Sequence, residues 1–166
     1  MSAKRRILVA GIGNIFFGDD AFGCEVLAEL QRHQLPEEVE AIDFGIRSYD
    51  LAYALMEDYD AAILVDAVPR GEKPGTLYLI EPDPDELEKF VGDIDGHSMS
   101  PVSVLQMVKS FGGKTGRLYL LGCEPAVLDS EDGQMGLSEN VRAAIPTAME
   151  MIKSLLNKLL KESVSA

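Results

Sequence analysis

The chain has 166 residues, of which 46% are hydrophobic, and this is ample for one domain that buries roughly two-thirds of its unfolded surface. Twenty-eight acidic residues against 15 basic residues give a formal net charge of -13. So acidic a surface repels phosphate backbones, which argues against DNA or RNA as partners. We therefore expect residues 1–166 to form a single domain that binds no nucleic acid.

The cysteines and the N-terminal residues indicate the cellular compartment in which the protein is expected. Cys24 and Cys123 form no CxxC or CxxH unit, so the sequence indicates neither a zinc knuckle nor a disulfide framework. The basic start MSAKRR is followed by only about six apolar residues before Gly11, too few for a signal-peptide core or a membrane span. We therefore expect a cytoplasmic protein with no membrane partner.

The first half of the chain alternates short apolar runs with helical patterns. Apolar runs predict strands at residues 5–10, 39–42 and 61–67. Apolar residues at helical spacing predict a helix from Phe22 to Leu30, and a second helix after Ser48. Alternation of this kind predicts a parallel sheet with right-handed crossovers.

The second half adds an antiparallel element. The stretch PGTLYLIEP follows the previous strand with no helix between them, which predicts an antiparallel edge strand. A short helix is predicted at residues 85–91, and a clearer one begins at Pro101, with Ser100 as its N-cap, and is closed by Gly112. A last buried strand is predicted at residues 116–122, and a long helix from Ser138 onward. The expected fold is α/β: a three-layer αβα sandwich around a mostly parallel, twisted sheet of about five strands with one antiparallel edge strand.

The stretch GIGNIFFGDDAFG lies between the first strand and the first helix. A dinucleotide fingerprint has the spacing GxGxxG, whereas the glycines here fall at Gly11, Gly13 and Gly18. A pyrophosphate would also meet the carboxylates of Asp19 and Asp20, which would repel it by roughly a few kcal/mol. The loop therefore favours a cation. Asp19 suits the helix N-cap, which leaves Asp20 as the spare carboxylate; the plainer alternative is one capping and one solvated acid.

Two further polar residues occur near a strand end and a helix start. Asp66 follows five apolar residues, so its charge is costly unless it reaches a cleft or finds partners; the alternative is a carboxylate that caps nearby backbone amides. His97 precedes a predicted helix, whose dipole favours a neutral imidazole, although a lone loop histidine is usually solvated. Together Asp20, Asp66 and His97 form an O, O, N set suited to zinc, nickel or iron, with coordination positions left open.

Four stretches in order, GIGNIFFGDDAFG, ILVDA with PGT behind it, GHSMSP and GCEP, resemble the nickel-iron hydrogenase maturation endopeptidases. The resemblance covers nearly the whole chain. It implies a small αβα endopeptidase that cuts a C-terminal extension from the hydrogenase large-subunit precursor, its partner, once nickel has been inserted. The family's metal-contacting residues correspond to Asp20, Asp66 and His97. They would contact nickel that the substrate supplies, and another divalent metal could occupy the site in vitro.

The resemblance also implies a mechanism and shows one departure. Nickel held by the three residues near the scissile amide would polarise the carbonyl or lower the pKa of an attacking water. The family often has a glycine-rich DGGT-like loop thought to contact substrate, where this chain has DFGIRS. Asp43, Gly45 and Arg47 are therefore substrate-contact candidates, on a surface that the bulky Phe44 and Ile46 alter. Arg47 pairs either with the substrate tail or with an acid of its own fold.

Two other functions remain open from the sequence. The same ligands would serve a nickel-site chaperone that binds the hydrogenase precursor without cleaving it. Gly11 and Gly13 would also fit a nucleotide-binding α/β domain, in which Asp43 ends the second strand. A mass shift of the large subunit separates the first alternative from the endopeptidase, and a thermal shift with nickel but not with NAD or ATP separates the second.

Overall fold

The computed structural model describes residues 5–81, 101–126 and 136–162. Its elements in chain order are β1 (Ile7–Ile12), a 3₁₀ helix (Gly18–Ala21), α1 (Phe22–Gln31), β2 (Val39–Gly45), α2 (Ser48–Leu55), β3 (Ala61–Ala67), β4 (Leu77–Ile80), α3 (Pro101–Ser110), β5 (Arg117–Cys123) and α4 (Glu139–Lys161). The helix predicted at residues 85–91 and the predicted N-cap Ser100 lie outside the described residues. The helices and strands predicted within the described stretches are all present.

The strands form one sheet in the order β2-β1-β3-β5-β4. β1 pairs in parallel with β2 and β3, and β3 pairs in parallel with β5. β4 pairs antiparallel with β5, which confirms the predicted edge strand. Strand order reverses between β1 and β3, so the carboxyl ends of these two strands open the crevice where proteins of this architecture bind ligands.

Helices cover both faces of the sheet. Successive strand residues point to opposite faces, so Ile7 and Val9 of β1 pack in one core with α1 and α4. Leu8 and Ala10 pack in a second core with α2 and α3. The three-layer αβα prediction is therefore confirmed. Burial on both faces also accounts for the uninterrupted apolar runs of β1 and β3.

β2 is longer than predicted, whereas α4 begins where it is predicted. β2 extends to Gly45, beyond the predicted residues 39–42, because it stays paired with β1 through an irregularity between Gly11 and Ile12. α4 begins after Ser138 and includes Pro146 within a helix of 23 residues. No helix of the described stretches combines the length and hydropathy that a bilayer span requires.

Candidate functional site

Glycines bring the start of α1 close to the crevice between β1 and β3. A Cβ added at Gly23 would lie 2.2 Å from the carbonyl oxygen of Val65 and 2.3 Å from that of Ile12. A Cβ added at Gly13 would lie 1.9 Å from the carbonyl oxygen of Asp20. Side chains at these positions would push the helix and the preceding turn away from the sheet, so the glycines allow the loop to place Asp20 at the crevice.

Asp20 is half-buried in the 3₁₀ helix that follows the glycine loop. Its Oδ2 accepts a hydrogen bond of 2.9 Å from the backbone N–H of Asn14. Burial raises the pKa of Asp20 above its ordinary value, although the Asn14 hydrogen bond lowers it. Since α1 begins at Phe22 without a side-chain cap, the Asp20 carboxylate is not used to cap that helix.

Asp66 is the second-last residue of β3 and is only 4% exposed. Its Oδ1 accepts a hydrogen bond of 2.8 Å from the backbone N–H of Ala67. Burial first, and then repulsion by the Asp20 carboxylate, raise the pKa of Asp66 well above its ordinary value, while the Ala67 hydrogen bond lowers it. The two predicted carboxylates are therefore electrostatic neighbours at the point where strand order reverses.

This carboxylate pair suits a divalent cation. No lysine or arginine of the described stretches is among the causes that shift the pKa of Asp20 or Asp66. A cation bound between them would relieve both their repulsion and the cost of burying negative charge. Within residues 5–81, 101–126 and 136–162, no group of three or more His, Cys, Asp or Glu side chains is arranged to hold a metal ion. His97 lies outside these stretches, so its place beside the pair stays a prediction.

Asp19 has a different role from the one predicted. The prediction that it caps the first helix is wrong, because the 3₁₀ helix intervenes and the Asp19 side chain turns into the protein, where it is fully buried. Its Oδ1 accepts a 2.7 Å hydrogen bond from Ser138 N–H, and its Oδ2 accepts bonds from Ala126 N–H at 2.8 Å and Ser138 Oγ at 2.9 Å. Asp19 therefore anchors the turn that carries Asp20 to the start of α4 and to the segment after β5.

Two of the predicted substrate-contact residues, Asp43 and Gly45, shape the end of β2 and the turn that follows it. Asp43 Oδ1 accepts a 2.9 Å hydrogen bond from the N–H of Gly45, which has a left-handed backbone at φ 56°. The carbonyl oxygen of Gly45 accepts a 3.0 Å bond from the N–H of Gly13. Asp43 and Gly45 thus shape this loop and join it to the glycine loop. Their contact with substrate stays a prediction.

Arg47, the third substrate-contact candidate, is bound to its own fold. Its Nη2 donates a 2.8 Å hydrogen bond to the carbonyl oxygen of Asp43, and its Nη1 forms an ion pair of 3.4 Å with Asp50 Oδ2. In the free protein Arg47 therefore pairs with an acid of its own fold, which is one of the two predicted alternatives. Phe44 does not alter the surface as expected, because it is 5% exposed and packs in the core beneath α2, whereas Ile46 is 62% exposed.

Cys24 lies beside the site without forming a thiolate nucleophile. Its Sγ donates a 3.5 Å hydrogen bond to the carbonyl oxygen of Gly13. Burial, followed by the Asp43 carboxylate, strongly raises the pKa of the Cys24 thiol, so the group stays protonated at neutral pH. Cys24 therefore helps to hold the glycine loop, and its chemistry there is that of a hydrogen-bond donor.

Glu124, within the stretch GCEP, organises the loop after β3, a role that the sequence does not predict. Its buried Oε1 accepts hydrogen bonds from Arg70 N–H at 2.8 Å, Glu72 N–H at 3.0 Å and Tyr78 Oη at 2.8 Å. The signal in the sequence is an acidic residue directly after the apolar strand β5, because a carboxylate buried at such a position needs several hydrogen-bond donors. Glu124 has a structural role that fixes the loop leading to β4.

The chain matches the family model described as hydrogenase maturation protease over residues 24–155, a range that includes Asp66 and His97 and begins shortly after Asp20. It is 32% identical to the hydrogenase 2 maturation protease of Escherichia coli over 96% of this chain and 95% of that protein. This match favours a protease over the nucleotide-binding alternative.

Solved structures agree with this assignment. The hydrogenase maturating endopeptidase HybD from E. coli superposes with a TM-score of 0.78 at 30% identity, covering 92% of this chain and 93% of that one. The NiFe hydrogenase maturation protease HycI from Thermococcus kodakarensis superposes with a TM-score of 0.68 at 26% identity, covering 94% and 95% of the two chains. Together with the αβα fold and the carboxylates at its crevice, these matches show that the chain belongs to the hydrogenase maturation protease family.

Proposed function

We propose that this chain is an endopeptidase that removes the C-terminal extension from the large-subunit precursor of a nickel-iron hydrogenase after nickel insertion. Family membership supports the peptidase activity, and the names of the relatives support a hydrogenase as the object of maturation. The substrate is recognised through the nickel that it carries. Asp20, Asp66 and His97 are the residues that contact this nickel.

The observation that carries the proposal is the pair of neighbouring carboxylates at the crevice. Asp66 is almost completely buried, and the negative charge of Asp20 raises its pKa further. Such a pair is unfavourable in the free protein unless it is protonated, and it becomes favourable when a divalent ion offsets both charges. A substrate that brings nickel therefore supplies what the site lacks, and a substrate without nickel does not.

The chemistry follows from this arrangement. Two carboxylates and one imidazole leave coordination positions open on a divalent ion, as catalytic sites do. With the substrate's nickel held close to the scissile amide, the ion would polarise the carbonyl or lower the pKa of an attacking water. Asp20 and Asp66 position the substrate's nickel and reduce its net charge, and His97 adds a neutral donor.

Charge-neutral variants test the residue assignment. We expect Asp66→Asn and His97→Ala to slow processing of nickel-loaded precursor by about 100-fold or more, because each removes a ligand to the substrate's metal. The matched controls are Asp58→Asn, an exposed acid, and His33→Ala, the exposed histidine after α1. The measurement is the rate at which the large subunit loses mass. Processing by Asp66→Asn and His97→Ala at the parent rate would show that the assignment is wrong.

The same assay separates cleavage from simple binding. A nickel-site chaperone would bind the nickel-loaded precursor, and mutation of its ligands would weaken that binding, but the mass of the large subunit would not change. Measuring the mass and the bound fraction in one reaction therefore distinguishes the two functions.

A further inference from the structure

A run of exposed apolar side chains lies on the loop between β1 and the 3₁₀ helix. Ile15, Phe16 and Phe17 are consecutive in sequence and are 48%, 58% and 43% exposed. Consecutive large apolar side chains on a surface favour association and usually mark a place where another molecule binds. Nothing in the core of the described chain uses these three side chains.

Hydrogen bonds hold this run in place next to the candidate site. Asn14 N–H donates to Asp20 Oδ2 at 2.9 Å, and Asn14 Oδ1 accepts from Phe16 N–H at 2.9 Å. Phe17 N–H donates to the Asn14 carbonyl at 3.2 Å, and Asp20 N–H donates to the Phe17 carbonyl at 3.1 Å. The Asp20 carboxylate thus fixes the base of the loop that presents the apolar side chains.

The loop after β2 adds one more exposed apolar residue. Ile46 is 62% exposed and follows Gly45, whose carbonyl oxygen accepts a hydrogen bond from Gly13 N–H. The two loops are therefore joined at their bases, at the same end of the sheet as Asp20. We call the four side chains on them, Ile15, Phe16, Phe17 and Ile46, the apolar collar.

We propose that the apolar collar is the surface on which the folded body of the large-subunit precursor docks, through an apolar patch beside its C-terminal extension. This inference rests on the proposed function, since it concerns the same site and the same substrate. A protein whose chain end reaches Asp20 and Asp66 must lie against the loops that surround Asp20, and the collar residues occupy those loops. Docking there brings the extension to the carboxylate pair.

Charge and position argue against other occupants of the collar. A chain with a net charge of -13 is repelled by anionic lipid headgroups, so a membrane surface is disfavoured. A second copy of this chain would have the same charge and would lie against the loop that carries Asp20, where it would compete with the substrate. An apolar patch on the precursor would not compete with the precursor's own extension, and the buried centre of a protein interface is usually apolar.

The test compares two double variants, each of which removes two exposed apolar or aromatic side chains. Ile15→Ser/Phe16→Ser removes the centre of the collar. The control, Leu79→Ser/Tyr53→Ser, removes side chains on β4 and α2 that are 46% and 58% exposed and are not part of the collar; Tyr53 instead stacks on Phe111. For each, Kd for nickel-loaded precursor, KM and kcat are measured. We expect the collar variant to raise Kd and KM at least ~10-fold, the effect of losing a central apolar anchor, and to change kcat less than about twofold. The control variant should match the parent.

Each outcome decides between the proposals. If the collar variant keeps the parent Kd and KM while the parent trims the precursor, the docking proposal is wrong and the proposed function stands. If the parent binds the precursor without trimming it, the proposed function is wrong, and weaker binding by the collar variant alone still supports docking. If the parent neither binds nor trims the precursor, both are wrong. If the parent is a dimer in solution that the collar substitutions dissociate, a second copy occupies the collar and the docking proposal is wrong.

Discussion

At the scale of single residues, Asp66 combines deep burial with a carboxyl group that has no ion-pair partner within residues 5–81, 101–126 and 136–162. Its Oδ1 accepts a hydrogen bond from Ala67 N–H, and the nearby Asp20 carboxylate opposes its ionisation. The folded chain therefore binds a proton at Asp66 more tightly than the unfolded chain does. Stability from this group is complete below the unfolded pKa of about 3.9 and is lost as pH rises through the higher pKa of the folded state.

Replacement of Asp66 by a neutral side chain should separate stability from function. We expect Asp66→Asn to raise Tm at pH 7, by about 2–4 °C for each kcal/mol recovered, because the variant buries no charge. Below pH 4 the carboxyl is protonated and the difference in Tm should disappear. Scanning calorimetry of both proteins from pH 3.5 to pH 8, as approximate limits, makes the measurement. A variant that is less stable than the parent at pH 7 would contradict this account of Asp66.

Asp20 and Asp66 are predictable as candidates because each depends on local pattern: an acid after a glycine loop, and an acid at the end of an apolar strand. Asp19 was misassigned because its partners, Ala126 and Ser138, lie 107 and 119 positions away in sequence. A neighbouring cap position offered a simpler local explanation. Hydrogen bonds between distant segments leave no spacing signal, so a buried carboxylate of this kind is visible only in three dimensions.

At the scale of elements, Asp19 links the 3₁₀ helix to the start of α4. Within the described stretches its buried carboxylate accepts hydrogen bonds from Ala126 N–H, Ser138 N–H and Ser138 Oγ, and its removal would leave these donors without that acceptor. We expect Asp19→Ala to lower the free energy of unfolding by about 3 kcal/mol, measured by denaturant titration. The exposed Asp58→Ala is the matched control and should change it by less than about 0.5 kcal/mol. Equal stability of the two variants would show that the link is unimportant.

The edge strand β2 is protected by side chains at its outer rim. Gln31 Nε2 donates a 2.9 Å hydrogen bond to the carbonyl of Ala41, and Arg47 Nη2 donates one of 2.8 Å to the carbonyl of Asp43. Both carbonyls lie in the last strand on that side of the sheet. Such bonds reduce the capacity of an edge to pair with another strand. Arg47 therefore lies at the exposed edge of β2, and its contact with substrate stays a prediction.

Substitution of Arg47 tests its predicted contact with substrate. We expect Arg47→Ala to raise KM for the precursor about threefold to tenfold with little change in Tm, because an exposed ion pair contributes little stability. Arg32→Ala is the matched control, since Arg32 is also exposed and pairs with Glu29 three residues away. Steady-state kinetics on both variants make the comparison. An unchanged KM for Arg47→Ala would assign that residue to the fold alone.

At the scale of the whole molecule, the αβα architecture was predictable because periodicity is a local property. Apolar runs and helical repeats specified the strands and helices, and the absence of a helix before β4 specified the antiparallel edge. β2 is longer than predicted because Asp43 and Gly45, on either side of the buried Phe44, interrupt the apolar run and are held by pairing with β1. Pairing of this kind depends on the partner strand and leaves no apolar run.

The sheet and the helices that cover it fix the geometry of the crevice between β1 and β3. Each strand order reversal of this type places two carboxyl ends side by side, and here those ends lead to Asp20 and Asp66. The helix packing that buries the apolar residues on both faces holds the two strands in register, with Gly11 paired to Val65. The separation between the two acids is therefore set by the sheet and the glycine loop together.

The most direct test of the proposed function is the mass of a candidate large-subunit precursor after incubation with this protein. Two parallel reactions contain the precursor with nickel inserted and the same precursor without nickel. We predict a decrease equal to the mass of the C-terminal extension in the nickel-loaded sample, and no change in the nickel-free sample. Equal trimming of both would contradict recognition through nickel, and no trimming of either would contradict the proposed function.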